Sequence, residues 1–298
     1  MTTRALVLGG GGPVGIAWES GLLAGLAEAG VDVSNASSIT GTSAGSAVGA
    51  QIAMGRSPRQ MYAAVSADAA SSAPSPTRGN ASGAPAPNLA PLIELMQRAS
   101  SGNSDPESLR KEIGSFALSA QTISEDAFIA TFGQVLASAE AWPHPGYQCT
   151  AVDALTGEFV TWTAASGVPL SRAVASSCSV PGIYPPITIN GRRFIDGGMR
   201  SATNADLARG CDIALVVAVT AAAQGPMAEA SRARLDGELA AIREAGGEAI
   251  LVQPDEASLQ AFGMNLMDFG RRAGAAEAGY AQGQAEGPRI APLWNRQG

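Results

Sequence analysis

One serine in this chain is placed as a catalytic nucleophile would be. Ser43 lies between Gly41 and Gly45, directly after a predicted strand that ends at Thr40 and directly before a predicted helix. At a sharp strand-to-helix turn a serine adopts a strained backbone conformation, and the flanking glycines avoid collisions with the neighbouring strand and helix. The hydroxyl is then presented at a helix N-terminus, where free N–H groups and the helix dipole favour a developing negative charge. The pattern therefore predicts acyl chemistry.

A run of glycines earlier in the chain offers backbone N–H donors. Gly9 to Gly12 lie between a predicted strand and a predicted helix. The spacing Gly10-x-Gly12-x-x-Gly15 also occurs in dinucleotide-binding loops, but that class of site needs an acidic residue at the end of a second strand about twenty residues further on. This chain has the serine turn in that region instead. We predict that consecutive N–H groups of this glycine loop, close to Ser43, stabilise an oxyanion, and nucleotide binding is kept as an alternative.

A serine hydroxyl needs a base, and the residue order of this chain favours an aspartate. The only histidine, His144, lies in a proline-flanked loop ahead of the strand-end acid, whereas hydrolases with this turn place the histidine after the acid. Asp196 ends an apolar strand and precedes Gly197 and Gly198, which would let its carboxylate approach Ser43 closely. A plain tight turn is the alternative interpretation. Because the pKa of an aspartate is ordinarily about 3.9, such a base needs a dry pocket to act on a hydroxyl.

Other reactive side chains are predicted to be structural. Asp153 lies between two predicted strands and is interpreted as a turn acid, and Cys178 is interpreted as a small core residue. The 3 cysteines are an odd number without a Cys-x-x-Cys pair, so neither a disulfide framework nor a zinc site is indicated. We expect no metal and no cofactor at the site.

Composition limits the class of protein. The 298 residues are 46% hydrophobic and 15% charged, which is typical of a globular protein with a large core, and we interpret 1–298 as one domain. A net charge of -7 without a dense basic run argues against nucleic acid as a partner, while transient contact with a neutral lipid surface stays open. Because the cysteines indicate no disulfide framework, a reducing cytoplasm is the expected location. The N-terminal apolar run is too short for a signal peptide, and no segment is apolar for long enough to span a membrane.

Strand and helix patterns alternate along the chain, which predicts an α/β fold with a mainly parallel sheet covered on both faces. Two predicted hairpins interrupt the alternation, and the second, with an Asn190-Gly191 turn, delivers Asp196 at its end. Residues 67–91 are rich in Ser, Ala, Pro and Gly, so we predict a flexible insertion without regular structure there. A last helix is predicted over Leu266 to Gln282.

Four segments together resemble the patatin-like phospholipase family. They are the glycine loop Gly9 to Gly15, the serine turn Gly41 to Gly45, the proline-containing stretch Ala175 to Pro186 and the triplet Asp196 to Gly198. They occur in the order expected of the family, and the resemblance runs from about Arg4 to Leu207.

The resemblance implies a three-layer α/β/α sandwich and a Ser-Asp dyad that needs no metal. Ser43 would attack a carboxylic ester, Asp196 would take its proton and return it to the leaving alcohol, and water would then hydrolyse the acyl-enzyme. The glycine loop, through Gly10, Gly11 and Gly12, would supply the oxyanion donors.

The family's pattern is not matched everywhere. Pro13-Val14 occupies the place where the family often has a basic residue, and the stretch from Gly15 to Gly21 is one residue longer than usual. Headgroup preference and oligomeric state are therefore left open. The expected function is hydrolysis of lipid or other acyl esters. The alternatives are an acyltransferase that uses the same acyl-enzyme, and a non-catalytic protein that binds lipid or nucleotide.

Overall fold

The fold is described by a computed structural model over residues 2–70, 88–102, 104–136, 142–222 and 226–296. The strands within these ranges are β1 (Arg4–Leu8), β2 (Ser38–Gly41), β3 (Tyr147–Asp153), β4 (Phe159–Trp162), β5 (Ile187–Ile189), β6 (Arg192–Asp196), β7 (Ile213–Val217) and β8 (Glu248–Val252). The helices are α1 (Gly12–Glu28), α2 (Ala44–Ala53), α3 (Pro58–Ala70), α4 (Ala90–Ser100), α5 (Pro106–Ser119), α6 (Glu125–Leu136), α7 (Leu170–Ser177), α8 (Pro226–Glu244), α9 (Glu256–Phe262) and α10 (Arg272–Trp294).

A parallel sheet forms the centre of the molecule, in the strand order β3-β2-β1-β7-β8. The hairpin of β5 and β6 joins this sheet antiparallel to β3, and β4 pairs antiparallel with β3 as well. Every residue of β7 is buried, as expected of a parallel strand covered on both faces. The predicted fold class, a mainly parallel sheet between helical layers, is confirmed.

The two faces of β1 belong to different cores, because successive side chains of a strand point to opposite sides. Leu6 and Leu8 join the larger core, which the sheet shares with α1, α2, α7 and α10. Ala5 and Val7 join a smaller core against α8. On this second face α4 contacts both α5 and α8, so the sheet lies between two layers of helices.

Helix α1 is buried along most of its length because α10 packs directly over it. Gly21 and Gly25 of α1 pack against α10, while Gly279 and Gly283 of α10 pack against α1. A Cβ at any of these four glycines would overlap backbone atoms of the other helix. The two backbones are therefore in direct contact, and α10 fixes the helix that begins at the glycine loop.

The predicted bounds of the last helix are wrong. It begins at Arg272 rather than Leu266, and it continues past Gln282 through Pro288 and Pro292. A proline inside a helix removes a backbone hydrogen bond and ordinarily kinks or ends the helix. Here the helix continues because its last turns are packed into the core, where Trp294 is fully buried.

The predicted irregular segment 67–91 is wrong at its two ends. Helix α3 extends to Ala70 and α4 begins at Ala90. Residues 71–87 lie outside the described residues, so an insertion there stays a prediction.

Candidate active site

Ser43 lies at the junction of β2 and α2, in the predicted turn. Its φ of 52° and ψ of -118° belong to a region that non-glycine residues rarely adopt. A Cβ at Gly41 would lie 2.6 Å from the carbonyl oxygen of Gly45, and a Cβ at Gly45 would overlap the backbone of Leu8. Both flanking glycines are thus required because neighbouring backbone lies too close for a side chain. The strained turn presents Ser43 at the start of α2.

Strand β6 brings Asp196 to the end of β2. Strand β2 pairs with β3 as far as Gly41, which lies opposite Cys149, and β6 pairs with β3 from Asp196, which lies opposite Ala151. Strand β4 pairs with one side of β3 over the same residues, so β2 and β6 must both pair with its other side. There the two strands meet end to end, opposite Thr150 of β3. Because β6 runs antiparallel to β3, its last residue is the one nearest to the serine turn.

Asp196 is a buried carboxyl that lies between the serine turn and two glycines. The residue is 2% exposed, and burial raises the pKa of its carboxyl to about 7, against the lowering effect of hydrogen bonding with Ser43 and with the backbone of Gly198. The Gly198 N–H donates to Oδ1 at 2.7 Å. A Cβ at Gly198 would lie 2.9 Å from Oδ1, and a Cβ at Gly197 would lie 2.6 Å from the carbonyl oxygen of Thr150. The two glycines therefore permit the close packing that their position predicts.

The glycine loop lies beside Ser43, but its three predicted donors are not equivalent. A Cβ at Gly10 would lie 3.3 Å from the Cβ of Ser43, so the glycine leaves room for the serine. The Gly10 N–H donates to the carbonyl oxygen of Ala202 at 2.8 Å and is not free for an oxyanion, which corrects the prediction for this residue. Within the described ranges, the N–H groups of Gly11 and Gly12 have no acceptor.

Apolar atoms surround the outer side of the glycine loop. A Cβ at Gly11 would lie 2.5 Å from a methyl of Val219, and a Cβ at Gly12 would lie 2.9 Å from the sulfur of Met267. Gly12 has a φ of 58°, which favours glycine independently of the available space. The loop is therefore closely packed between α1 and the segment that precedes α10.

The end of α7 holds the serine turn through two residues whose contacts the sequence does not reveal. The N–H of Ser43 donates to Oγ of Ser177 at 3.0 Å, and the thiol of Cys178 donates to the carbonyl oxygen of Ser43 at 3.1 Å. Burial raises the pKa of the Cys178 thiol well above its ordinary value, so the residue stays neutral and structural. Both residues lie in the proline-containing stretch, which was the only sequence signal for them.

His144 and Asp153 have local structural roles. His144 precedes β3 at the amino-terminal ends of β2 and β3, and its Nδ1 accepts the N–H of Gly146 at 3.0 Å. The carbonyl oxygen of Gly146 in turn accepts the N–H of Ile39 in β2 at 2.9 Å. Ile39 lies four residues before Ser43 in the chain, which corresponds to about 13 Å along a strand. Asp153 accepts two N–H groups of its own turn at 2.8 Å each, as predicted for a turn acid.

A cavity of about 610 Å³ lies apart from the dyad. Its lining comes from the starts of α6 and α7 and from the turn between β5 and β6, and it includes neither Ser43 nor Asp196. Glu125 and Arg172 within it are already paired at 2.9 Å. This cavity therefore does not define the acyl site.

The fold and the site define an α/β protein with a serine on a strained strand-to-helix turn and a buried aspartate beside it. The sequence matches the model of the patatin-like phospholipase family over residues 6–209. The chain belongs to this family, and membership supports a lipid hydrolase function.

Two solved structures are similar to this chain at low sequence identity and low TM-score. VipD from Legionella pneumophila is 12% identical with a TM-score of 0.47, over 97% of this chain and 67% of that chain. The type III effector protein ExoU is 14% identical with a TM-score of 0.38, over 96% of this chain, which spans only 53% of ExoU. The sequence has no significant match among curated proteins. In the part of the chain that the structure describes, the helices are too short or too polar to cross a membrane.

Proposed function

We propose that this chain is a serine acyl hydrolase that cleaves carboxylic esters of lipids, with Ser43 as nucleophile and Asp196 as base. The observation that carries the proposal is the junction of β2 and β6, where a serine at φ 52° lies beside a buried carboxyl whose pKa is raised to about 7. A base whose pKa lies near the working pH combines a large ionised fraction with a strong drive for proton transfer. The buried environment thus supplies the basicity that an aspartate in water lacks.

The proposed reaction needs only these two side chains, the glycine loop and water. The Ser43 oxygen bonds to the ester carbonyl carbon while its proton passes to Asp196. The tetrahedral intermediate then collapses, the bond from carbon to the alcohol oxygen breaks, and Asp196 returns the proton to the leaving alkoxide. Water attacks the acyl-enzyme in the same way, with Asp196 taking the proton of the water and returning it to the Ser43 oxygen. The N–H groups of Gly11 and Gly12 are the proposed oxyanion donors.

Lipid esters are the proposed substrates for two reasons. The family to which the chain belongs is that of patatin-like phospholipases. Val219 and Met267 also contribute apolar atoms next to the glycine loop, where an acyl chain would lie. We further propose transient contact with a neutral lipid surface and a cytoplasmic location, and we propose no nucleic-acid partner.

The test combines labelling with a fluorophosphonate probe and hydrolysis of nitrophenyl butyrate and nitrophenyl palmitate. We expect the wild-type protein to be labelled and to hydrolyse both esters, and Ser43→Ala to lose both signals. Asp196→Asn should fold and lose hydrolysis by about 10³-fold or more, because the proton acceptor is removed. His144→Ala is the control and should change hydrolysis little.

Two outcomes would contradict this proposal. A folded wild-type protein that is neither labelled nor active on any ester would favour the binding-protein alternatives. A large loss of hydrolysis in His144→Ala would overturn Asp196 as the base. Product analysis with an added acceptor alcohol separates hydrolysis from acyl transfer, since a transferase would form the new ester in preference to the free acid.

A further inference from the structure

One buried amide joins the serine turn to the aspartate turn. Asn204 is 0% exposed. Its Nδ2 donates to the carbonyl oxygen of Ser201 at 2.8 Å and to Oγ1 of Thr42 at 3.0 Å. The same nitrogen makes longer contacts of 3.4 Å with Oγ1 of Thr150 and with the carbonyl oxygen of Gly197. Thr42 directly precedes the proposed nucleophile and Gly197 directly follows the proposed base, so one side chain contacts both turns.

The sheet topology leaves the two turns without direct strand pairing between them. Strands β2 and β6 meet end to end along β3, so they are not paired with each other where Ser43 and Asp196 lie. Thr150 occupies the junction, and its Oγ1 lies 3.0 Å from Oγ1 of Thr42. A fully hydrogen-bonded polar cluster in a buried region strongly restricts geometry, because any displacement leaves a donor or acceptor unpaired. The cluster around Asn204 therefore restricts the positions of both turns.

Asn204 is itself held in one orientation. Its backbone has φ 50° and ψ 40°, and its Oδ1 accepts a hydrogen bond from Nη1 of Arg200 at 2.8 Å. Arg200 is in turn bound by both carboxylate oxygens of Asp206, at 2.9 and 2.7 Å, and lies over the ring of Phe159 at 4.4 Å. A guanidinium only donates, so the amide oxygen must face Arg200 and the NH₂ group must face Thr42.

We propose that Asn204 is a positioning residue for the dyad. Its amide holds the turn of Ser43 and the turn of Asp196 at the separation that lets the hydroxyl hydrogen-bond to the carboxylate. The inference rests on the proposed function of that dyad. Asn204 acts through Thr42 and Gly197 rather than on substrate, so its loss lowers kcat and leaves KM nearly unchanged.

The test compares two matched substitutions. Asn204→Gly deletes the amide and keeps the left-handed backbone, which glycine adopts readily. Asn190→Gly is the control, because Asn190 has the same φ of 50° but lies exposed in the turn between β5 and β6. The measurements are kcat and KM on nitrophenyl butyrate, thermal unfolding, and the titration of the Asp196 carboxyl by NMR in ¹³C-aspartate-labelled protein, assigned with Asp196→Asn.

For Asn204→Gly we expect kcat to fall about 10- to 100-fold, since a small misplacement of reacting groups has effects of this size. KM should change less than about threefold. The pKa of Asp196 should rise by about 0.5 to 1 unit, because the hydrogen bond from Ser43 that lowers it is weakened. Asn190→Gly should match the wild type in kcat, in KM and in the pKa of Asp196.

A folded Asn204→Gly variant with wild-type kcat and an unshifted Asp196 titration would overturn the proposal. The titration does not depend on turnover, so an inactive wild-type protein would contradict the proposed function while the NMR measurement still tests this inference. Should Asn204→Gly fail to fold, Thr42→Val removes the bridging hydroxyl at similar volume and Thr42→Ser retains it. Equal Asp196 titrations in these two variants would also overturn the proposal.

Discussion

At the scale of single residues, the chemistry of this site depends on the surroundings of Asp196. An aspartate in water is too weak a base for a serine hydroxyl, whereas burial disfavours its charged form and strengthens it as a base. Ser43 and the backbone of Gly198 counteract this effect only in part, so the pKa stays at about 7. The burial that raises the basicity of the carboxylate also lowers the stability of the folded state, because folding removes the charged group from water.

The raised pKa predicts a pH dependence of hydrolysis. The base acts only when it is ionised, so kcat/KM should rise with pH through an apparent pKa of about 7 and level off above it. The measurement is kcat/KM on nitrophenyl butyrate from pH 5 to pH 9, corrected for spontaneous hydrolysis. A flat profile over this range would contradict the raised pKa.

A stability measurement provides an independent check of the same pKa. The pKa of the Asp196 carboxyl is higher in the folded state than in the unfolded chain, so ionising it lowers the free energy of unfolding. This destabilisation is absent below about pH 4, grows as the pH rises and is complete above about pH 7. Asp196→Asn should therefore match the wild type near pH 4 and be more stable at pH 8, by about 1–3 kcal/mol in free energy of unfolding. Equal stability at both pH values would mean that the folded state does not shift this group.

At the scale of helices and strands, the site depends on the contact between α1 and α10. Helix α1 begins at Gly12, within the glycine loop, so its position determines where the loop lies relative to Ser43. Four glycines let the backbones of α1 and α10 touch, and a methyl group at any of them would force the helices apart. This explains why small residues recur at four-residue spacing in two helices that are far apart in the chain.

Enlarging one of these glycines should destabilise the protein and disturb the loop. A Cβ at Gly283 would overlap the backbone of α1 around Leu22 and Leu26, so Gly283→Ala is expected to lower the free energy of unfolding by about 1–3 kcal/mol. Gly237→Ala in α8 is the control, because a Cβ there meets no atom within 4 Å apart from the adjacent backbone of its own helix. That change should raise stability by up to about 1 kcal/mol, since alanine is the better helix former. Similar destabilisation of both variants in urea would refute the role of the helix contact.

At the scale of the whole molecule, the sheet extends beyond the region that defines the family. The family match ends at residue 209, yet β7 pairs with β1 on one side and with β8 on the other. Helix α10, which also follows the matched region, covers α1. Residues on both sides of position 209 therefore contribute to the same cores, and we keep the interpretation of 1–298 as one domain as a prediction.

Truncation tests this interpretation. A chain limited to residues 1–209 would lose the strand neighbour of β1 and the cover of α1, and would expose two apolar surfaces. We expect it to aggregate or to lack a cooperative thermal transition, and to lose fluorophosphonate labelling. A chain that ends at Arg296 is the control and should behave as the wild type. A soluble, labelled 1–209 fragment would show that the region matched by the family folds alone.

The sequence by itself determined the local features of this protein. The turn around Ser43, the Asn190-Gly191 turn and the turn after Asp196 each have a pattern that spans a few residues, so these turns could be predicted. The atoms that two of their glycines accommodate are distant in the chain, since Gly45 packs on Leu8 and Gly197 on Thr150. The alternation of strands and helices determined the fold class for the same reason, because hydrophobic period is a local property of the chain.

Only the tertiary structure decided how these local features are joined. That Ala202 occupies the N–H of Gly10, that Ser177 bonds to Ser43, and that Asn204 lies between the two turns are all contacts between distant parts of the chain. The continuation of α10 beyond Pro288 and Pro292 also depends on tertiary contacts, since the burial of Trp294 outweighs the local preference to end the helix. Such outcomes depend on which surfaces meet after folding, and the energy of those contacts is not encoded in any short stretch of residues.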